Sequence, residues 1–263
     1  MYTDRLEDIA SLGVKAVAIA VPIDKLIEVA KYFITSKINV FVEKPVALNP
    51  DDVLELEEER KASGVVVQPG FIVRFDPVTD ELKRLITIYG LPKFMEFQRL
   101  SRRPERLRVY PIVFDLTIHD IDLTLYLLGR HKWSIKSVTV LEVEGTVTQT
   151  LHAVLTYGNT LVSYLTDGNL PVKVRRVSIV FKDVYVNADY VNRFITINNP
   201  NGVKTYRVEG EEPLKRELRA FINRIKGQEI PEAPNLNDAY LALRVASLIK
   251  SKEPESLTPN IKF

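Results

Sequence analysis

The sequence predicts an α/β region followed by an α+β domain: a short parallel sheet with covering helices, then a larger, mostly antiparallel open sheet. Two observations carry this. Up to about residue 70, short apolar β-branched runs alternate with amphipathic helical patterns over short connections, the signature of right-handed strand–helix–strand units and parallel pairing. From Ser134 to Val208, strand-like runs follow one another, several separated by turn residues, and tight turns join antiparallel neighbours.

The elements follow in order. Val14 to Val21 reads as a buried strand, and Asp24 to Ser36 as a helix with Leu26, Ile27, Ala30 and Phe33 on one face. Asn39 to Val42 is the next strand. Pro50 to Ser63 is a helix with acidic residues in its first turn, where the dipole favours them, and Gly64 stops it. Val65 to Gln68 is a third strand. Beyond Gly70 the pattern predicts a helix at Pro77 to Tyr89, a strand at Lys93 to Leu100 and a long helix at Pro111 to Leu128. Strands are then expected at Ile135 to Val143, Thr146 to Tyr157, Thr160 to Thr166, Lys173 to Phe181, Arg193 to Ile197 and Lys204 to Val208. Turns such as Tyr157-Gly158-Asn159 and Asn199-Pro200-Asn201-Gly202 divide them. Helices at Glu212 to Lys226 and Leu236 to Lys250 close the chain.

Composition narrows the function classes. Lys and Arg number 36 against 34 Asp and Glu, a balance that argues against a dedicated nucleic-acid or anionic-membrane binder. There is no Cys, which excludes disulfides, thiolate catalysis and cysteine metal sites. Met1 to Ala10 carries Asp4, Arg5, Glu7 and Asp8 and no apolar run, so no signal peptide is expected, and Ala16 to Ile23 is too short to cross a bilayer. A cytoplasmic protein is the expectation. Glycine is scarce, 11 of 263 residues against a usual share of about 7%. No two glycines lie closer than six residues, so neither G-x-G nor G-x-x-G occurs.

Two segments carry chemistry. Glu43-Lys44-Pro45 directly follows the strand ending Phe41-Val42, and ligands of open parallel sheets sit beyond the carboxyl ends of the strands. A Lys there points at the ligand site, or is an ordinary solvated loop residue. In the helix Phe114 to Leu123, Asp115 and His119 are four residues apart and Asp122 three further, which places them on one α-helical face amid Leu116, Ile118, Leu123 and Leu127. A carboxylate one turn from an imidazole can orient the ring and serve as an acid/base pair. Asp–His and Asp–Arg pairs holding the helix are the alternative. The spacing does not favour a metal, because His131 and His152 lie in unrelated segments.

Three motifs in order, Val40-Phe41-Val42-Glu43-Lys44-Pro45, then Gly70-Phe71-Ile72-Val73-Arg74-Phe75-Asp76-Pro77, then Asp115-Leu116-Thr117-Ile118-His119-Asp120-Ile121-Asp122, resemble the signature of the glucose–fructose oxidoreductase and inositol dehydrogenase (Gfo/Idh/MocA) family. The ending from Glu212-Pro213-Leu214 to Ser247 also resembles that family's closing helices. The resemblance implies a truncated Rossmann-type, partial dinucleotide-binding domain over residues 1–72 and a substrate-binding and oligomerisation domain over 73–263. It further implies hydride transfer between NAD or NADP and a hydroxyl of a sugar, cyclitol or related polyhydroxy compound. In the roles it implies, His119 is the general base, Asp115 orients it or shares its proton, and Lys44 bridges substrate oxygen and cofactor. Val21, Pro22, Glu43 and Lys44 are the implied cofactor contacts, and Arg74, Asp115 and His119 the implied substrate contacts, with Arg102, Arg103 and Tyr110 as further pocket residues. A homodimer or homotetramer through the antiparallel sheet is implied as well, with no nucleic-acid or membrane partner.

The departures from the family pattern bear on the cofactor. Family members open with a strand, a glycine-rich turn and a helix that present backbone N–H groups to the pyrophosphate. No glycine-rich turn occurs here, and Asp24 stands where an Asn or His commonly faces the cofactor. Two expectations follow: either a glycine-rich unit of about 30 or more residues lies upstream of Met1, or the chain is a cofactor-free binding or scaffold homologue with a retained pocket.

Overall fold

The computed structural model describes residues 3–129, 131–141 and 150–251, and the backbone of 256–257. In chain order the first elements are α1 (Leu6–Ser11), β1 (Ala16–Ile19), α2 (Leu26–Thr35), β2 (Asn39–Glu43), α3 (Pro50–Ser63) and β3 (Val67–Gly70). Then come α4 (Pro77–Tyr89), β4 (Phe94–Leu100), α5 (Ile118–Leu128), β5 (Trp133–Leu141), β6 (Thr150–Tyr157) and β7 (Thr160–Asp167). The rest are β8 (Val174–Val180), β9 (Tyr185–Asp189), β10 (Phe194–Asn199), β11 (Gly202–Arg207), α6 (Pro213–Ile225), α7 (Leu236–Ser251) and β12 (Ser256–Leu257).

The chain divides into two compact units, residues 1–72 with 213–244, and residues 73–212 with 245–263. In the first, β1, β2 and β3 form a parallel sheet in that order, with Val17 opposite Val40 and Val40 opposite Val67. Local chemistry sets the helix ends. Asn49 caps α3 by accepting from the Asp51 N–H at 3.2 Å, Pro50 supplies a preset first turn, and Gly64, at φ +69°, ends the helix in the left-handed region. Ala30, Ile34, Val40, Val42, Val53 and Leu56 are fully buried and make the core.

Residues 213–244 were expected with the substrate domain. They group with the first unit because α6 packs there: the Phe41 and Phe221 rings are 5.9 Å apart, the Gln68 amide donates to the Glu217 carbonyl at 3.1 Å, and Arg224 donates to the Pro234 carbonyl at 3.0 Å. Period alone does not say which sheet a helix covers.

The second unit holds a nine-stranded sheet in the order β11-β10-β9-β8-β4-β7-β6-β5-β12. All its pairings are antiparallel except β4 with β7. Met95, Phe97 and Arg99 of β4 alternate with half-buried residues, so one face of the sheet is the core face. Asp76 caps α4 by accepting from the Val78 N–H at 2.9 Å, with Pro77 in the first turn.

Four elements depart from the sequence reading. β9 was not foreseen, because Asn187 and Asp189 are poor strand formers. It exists because Val186, fully buried, pairs with Ile179 on one side and Ile197 on the other. Likewise α1 and β12 had no periodic signal. The long helix expected from Pro111 is a π-helical turn at Val113–Thr117 that runs into α5. Parts of the strands expected at 135–143 and 146–157 fall in 142–149, outside the described residues.

Candidate functional site

On the first unit the chemistry gathers at the carboxyl ends of parallel strands. Val21 and Pro22 follow β1, Glu43 ends β2 with Lys44 next to it, and Gly70 ends β3, so one edge of the sheet presents all of the residues expected to touch the cofactor. Glu43 and Lys44 are half-buried, and Val21 and Pro22 are exposed. The Lys44 N–H donates to Glu43 Oε2 at 3.3 Å, and the Lys44–Pro45 bond is cis. Gly70 has a steric reason to lack a side chain: a Cβ there would lie 3.2 Å from Glu43 Oε2 and 3.3 Å from the Phe41 ring. Burial pushes the Glu43 carboxyl above its ordinary range, opposed by the Lys44 charge and N–H.

This edge does not fit a pyrophosphate. The turn from β1 towards α2 contains Pro22, which has no N–H, and the exposed Asp24, which repels an anion. Gly13 precedes β1 and opens no helix. No turn in this sequence has the paired glycines that bring backbone N–H groups against phosphate oxygens.

On the second unit three Arg–Asp pairs hold the π turn and α5. Arg103 Nε donates to Asp115 Oδ2 at 2.9 Å, and its Nη2 donates to the carbonyls of Leu107 (2.6 Å) and Tyr110 (2.9 Å). Arg99, on β4, grips Asp120 with both ends of its fork at 2.8 and 2.6 Å. Arg74 grips Asp122 in the same way at 2.9 and 2.6 Å and stacks over the Tyr126 ring at 4.9 Å. All six side chains are buried. Thr117 Oγ1 donates to Thr166 Oγ1 on β7 at 2.9 Å and pins the end of the π turn to the sheet.

These contacts place the remaining expected residues. Asp115 is 4% exposed and anchored, and His119 is half-buried in the first turn of α5. Arg74, expected to meet substrate, is 3% exposed and engaged with Asp122, so its described contacts are those of an internal ion pair. Arg102 is exposed. Arg103 is buried and donates to the backbone carbonyl of the half-buried Tyr110, and its bond to the Asp115 carboxylate makes it the residue that positions Asp115. The Asp–Arg pairing weighed from sequence is therefore present at three positions. The Arg99–Asp120 pair was missed because nothing in the spacing shows that β4 lies under α5. Among the described residues no group of three His, Asp or Glu could hold a metal, and no helix is long and apolar enough to cross a membrane.

Comparison with known proteins finds relatives among oxidoreductases. Residues 1–71 match the model of an oxidoreductase family with an NAD-binding Rossmann fold. The UDP-N-acetylglucosamine 3-dehydrogenase of Acidithiobacillus ferrooxidans is 27% identical over 81% of this chain and 70% of that protein. These matches make the chain similar to oxidoreductases of the Gfo/Idh/MocA type. An inositol 2-dehydrogenase of Corynebacterium glutamicum is 25% identical over 90% of this chain and 74% of its own length, so relatedness extends well past the family model. A myo-inositol 2-dehydrogenase of Thermotoga maritima is 33% identical, but the match spans only 40% of that protein. The solved structure of the A. ferrooxidans enzyme superposes with a TM-score of 0.87 at 21% identity, covering 96% of this chain and 82% of that one. It supports the fold of both units. The named relatives are dehydrogenases.

Proposed function

We propose that this chain is a member of the Gfo/Idh/MocA family and carries the proton-handling and substrate-binding chemistry of an NAD(P)-dependent dehydrogenase acting on a hydroxyl of a sugar, cyclitol or related polyhydroxy compound. The observation that carries the reading is Asp115, buried and fixed by Arg103, one π turn before the half-buried His119. A π turn within a helix is rare and is frequently found at functional sites.

In this reading His119 is the general base that takes the hydroxyl proton. Asp115 orients the imidazole and favours its protonated form, and Arg103 keeps Asp115 in place without leaving its charge uncompensated. Lys44 supplies positive charge to the oxygen as it loses its proton. A nicotinamide cofactor, when bound, would take the hydride. Val21, Pro22, Glu43 and Lys44 are the residues proposed to face it, and they supply no pyrophosphate cradle. The test is turnover with a panel of polyols, wild type against His119→Ala. Loss of most turnover with polyol binding kept supports the assignment, and unchanged turnover refutes it.

Pro22 and the exposed Asp24, which follow β1 and disfavour an anion there, are what a second reading rests on, a cofactor-free binding or scaffold homologue. That reading requires specific polyol or protein binding with no redox turnover under any condition.

We also propose that the chain associates into a homodimer or homotetramer through the sheet face that carries Leu161, Tyr185 and Phe194. The register places all three on one face, each between 39 and 42% exposed. Sedimentation of wild type against Leu161→Glu tests this, since a monomeric wild type contradicts it.

A further inference from the structure

The loop that fixes Asp115 holds more positive charge than that task needs. Ser101 to Tyr110, between β4 and the π turn, carries four arginines and one glutamate in a chain whose net charge is +2. Arg103 is spent on Asp115 and on the carbonyls of Leu107 and Tyr110. Among the described residues the other three, Arg102, Arg106 and Arg108, form no ion pair, and Glu105 forms none with them. Arg102 and Arg106 are exposed and Arg108 is half-buried, with its Nε out of solvent and without a hydrogen-bond partner in the protein. A buried guanidinium N–H left unsatisfied costs free energy, and groups of this kind are ordinarily paired by protein, water or ligand.

The backbone places this loop beside the proposed site. The Ser101 N–H donates to the Asp167 carbonyl at 3.0 Å and the Arg103 N–H to the Gly168 carbonyl at 2.8 Å, which ties the start of the loop to the end of β7. The N–H groups of Leu107, Arg108 and Tyr110 then close tight turns on the carbonyls of Pro104, Glu105 and Leu107 at 3.0, 3.0 and 3.2 Å. Arg103 Nη2 reaches the carbonyls on both sides of Arg108, at Leu107 and Tyr110, so the guanidinium that holds Asp115 also sets where Arg108 starts. The chemistry of the loop narrows the anion. Phosphoryl sites draw on backbone N–H groups, and those of Ser101, Arg103, Leu107, Arg108 and Tyr110 are already engaged. What the loop offers is guanidinium forks, whose parallel N–H groups match the two oxygens of a planar carboxylate.

We infer that Arg106 and Arg108 form a subsite for a carboxylate, so that the substrate is a polyhydroxy acid, an aldonate or a uronate, rather than a neutral polyol. This rests on the dehydrogenase reading above and narrows its substrate class. Arg103 connects the two, because it binds Asp115, four residues before His119, and carries the turn on which Arg108 stands. A carboxylate held by the loop thereby anchors the polyol in the same unit as the proposed base. Arg102, exposed on the same loop, adds to a positive field that draws anions towards the site.

The test is calorimetric titration of the full chain with D-glucuronate and D-gluconate, each against its uncharged amide, using wild type, Arg106→Gln and an Arg106→Gln/Arg108→Gln double variant, with thermal melts of all three. The inference expects wild type to bind at least one acid about tenfold or more tighter than its amide, with a gap that narrows as salt rises. The gap closes in the double variant and narrows in Arg106→Gln, whose exposed side chain makes no ion pair and whose loss leaves the fold intact if the double variant melts early. No binding of either acid, acids and amides that bind alike, or a gap that both variants keep overturns it. D-Glucose 6-phosphate is titrated in parallel. Tighter binding of this ester than of the acids, through the same arginines, overturns the assignment to a carboxylate. The dehydrogenase reading fails separately: arginine-dependent binding of an acid that is never oxidised refutes that reading alone. Oxidation of neutral polyols with no preference for the acids refutes the subsite alone.

Discussion

Arg103 holds Asp115 by a 2.9 Å hydrogen bond from Nε to Oδ2, with both side chains buried. The same guanidinium reaches the Leu107 and Tyr110 carbonyls, so the loop after β4 and the π turn before α5 are fixed by one side chain. The carboxylate is thus held without spending the flexible reach of a Lys, and its orientation is set before any substrate arrives.

Arg103→Lys keeps the charge and loses the fork. In this account the folded protein survives, while kcat falls with KM for the polyol little changed, and the acid limb of the pH–rate profile moves. Steady-state kinetics across pH measures it. A purely structural role for Arg103 would lower the melting temperature and leave the profile of the remaining active protein in place.

Arg74 and Asp122 give a stability test. Arg74→Met removes the ion-pair partner of the buried Asp122 and is expected to cost about 3–5 kcal/mol, whereas Arg74→Met with Asp122→Leu recovers most of that loss. Urea denaturation of the single and double variants checks it. A double variant as unstable as the single one would show that the pair does more than neutralise its own charges.

Glu43 gives a pH test. Burial raises its carboxyl pKa in the folded state, so its contribution to stability is fully present below the unfolded carboxylate range and is lost as pH rises through the raised folded value. Glu43→Gln carries no charge to bury. Relative to wild type it should gain stability as pH rises from the carboxylate range to neutrality, by melting temperature. A constant difference across that range contradicts the burial argument.

Gly70→Ala should destabilise, because its Cβ would lie 3.2 Å from Glu43 Oε2. The penalty should shrink in a Glu43→Ala background, where the crowding carboxylate is gone and only the Phe41 ring remains close, and thermal melts of the two pairs measure the coupling.

Much of this was legible in the sequence because it was written in local chemistry. Asn49-Pro50 and Asp76-Pro77 mark helix starts, Gly64 marks a stop, and the β-branched runs of β1 to β3 mark buried parallel strands. The placement of Lys44 beyond a strand end follows from the same reading. What was not legible depends on register. The partners of Asp115, Asp120 and Asp122 come from segments 12, 21 and 48 residues away. The π turn is held at Asp115 by Arg103 and at Thr117 by Thr166, contacts that the period of Val113–Thr117 does not show. Arg175 opposite Arg99 is likewise a fact of strand pairing.

The central claim is that His119, with Asp115 behind it, takes the proton of a substrate hydroxyl. The most direct measurement is nicotinamide reduction by the full chain with a polyol panel and the cofactor raised to millimolar levels, since no pyrophosphate cradle supports tight binding. Wild type and His119→Asn are compared side by side. The account predicts turnover in wild type with a high KM for the cofactor, and a loss of about 10²-fold or more in kcat for the variant with polyol binding retained. Equal turnover in the two proteins, or none in wild type at any cofactor concentration, would contradict it.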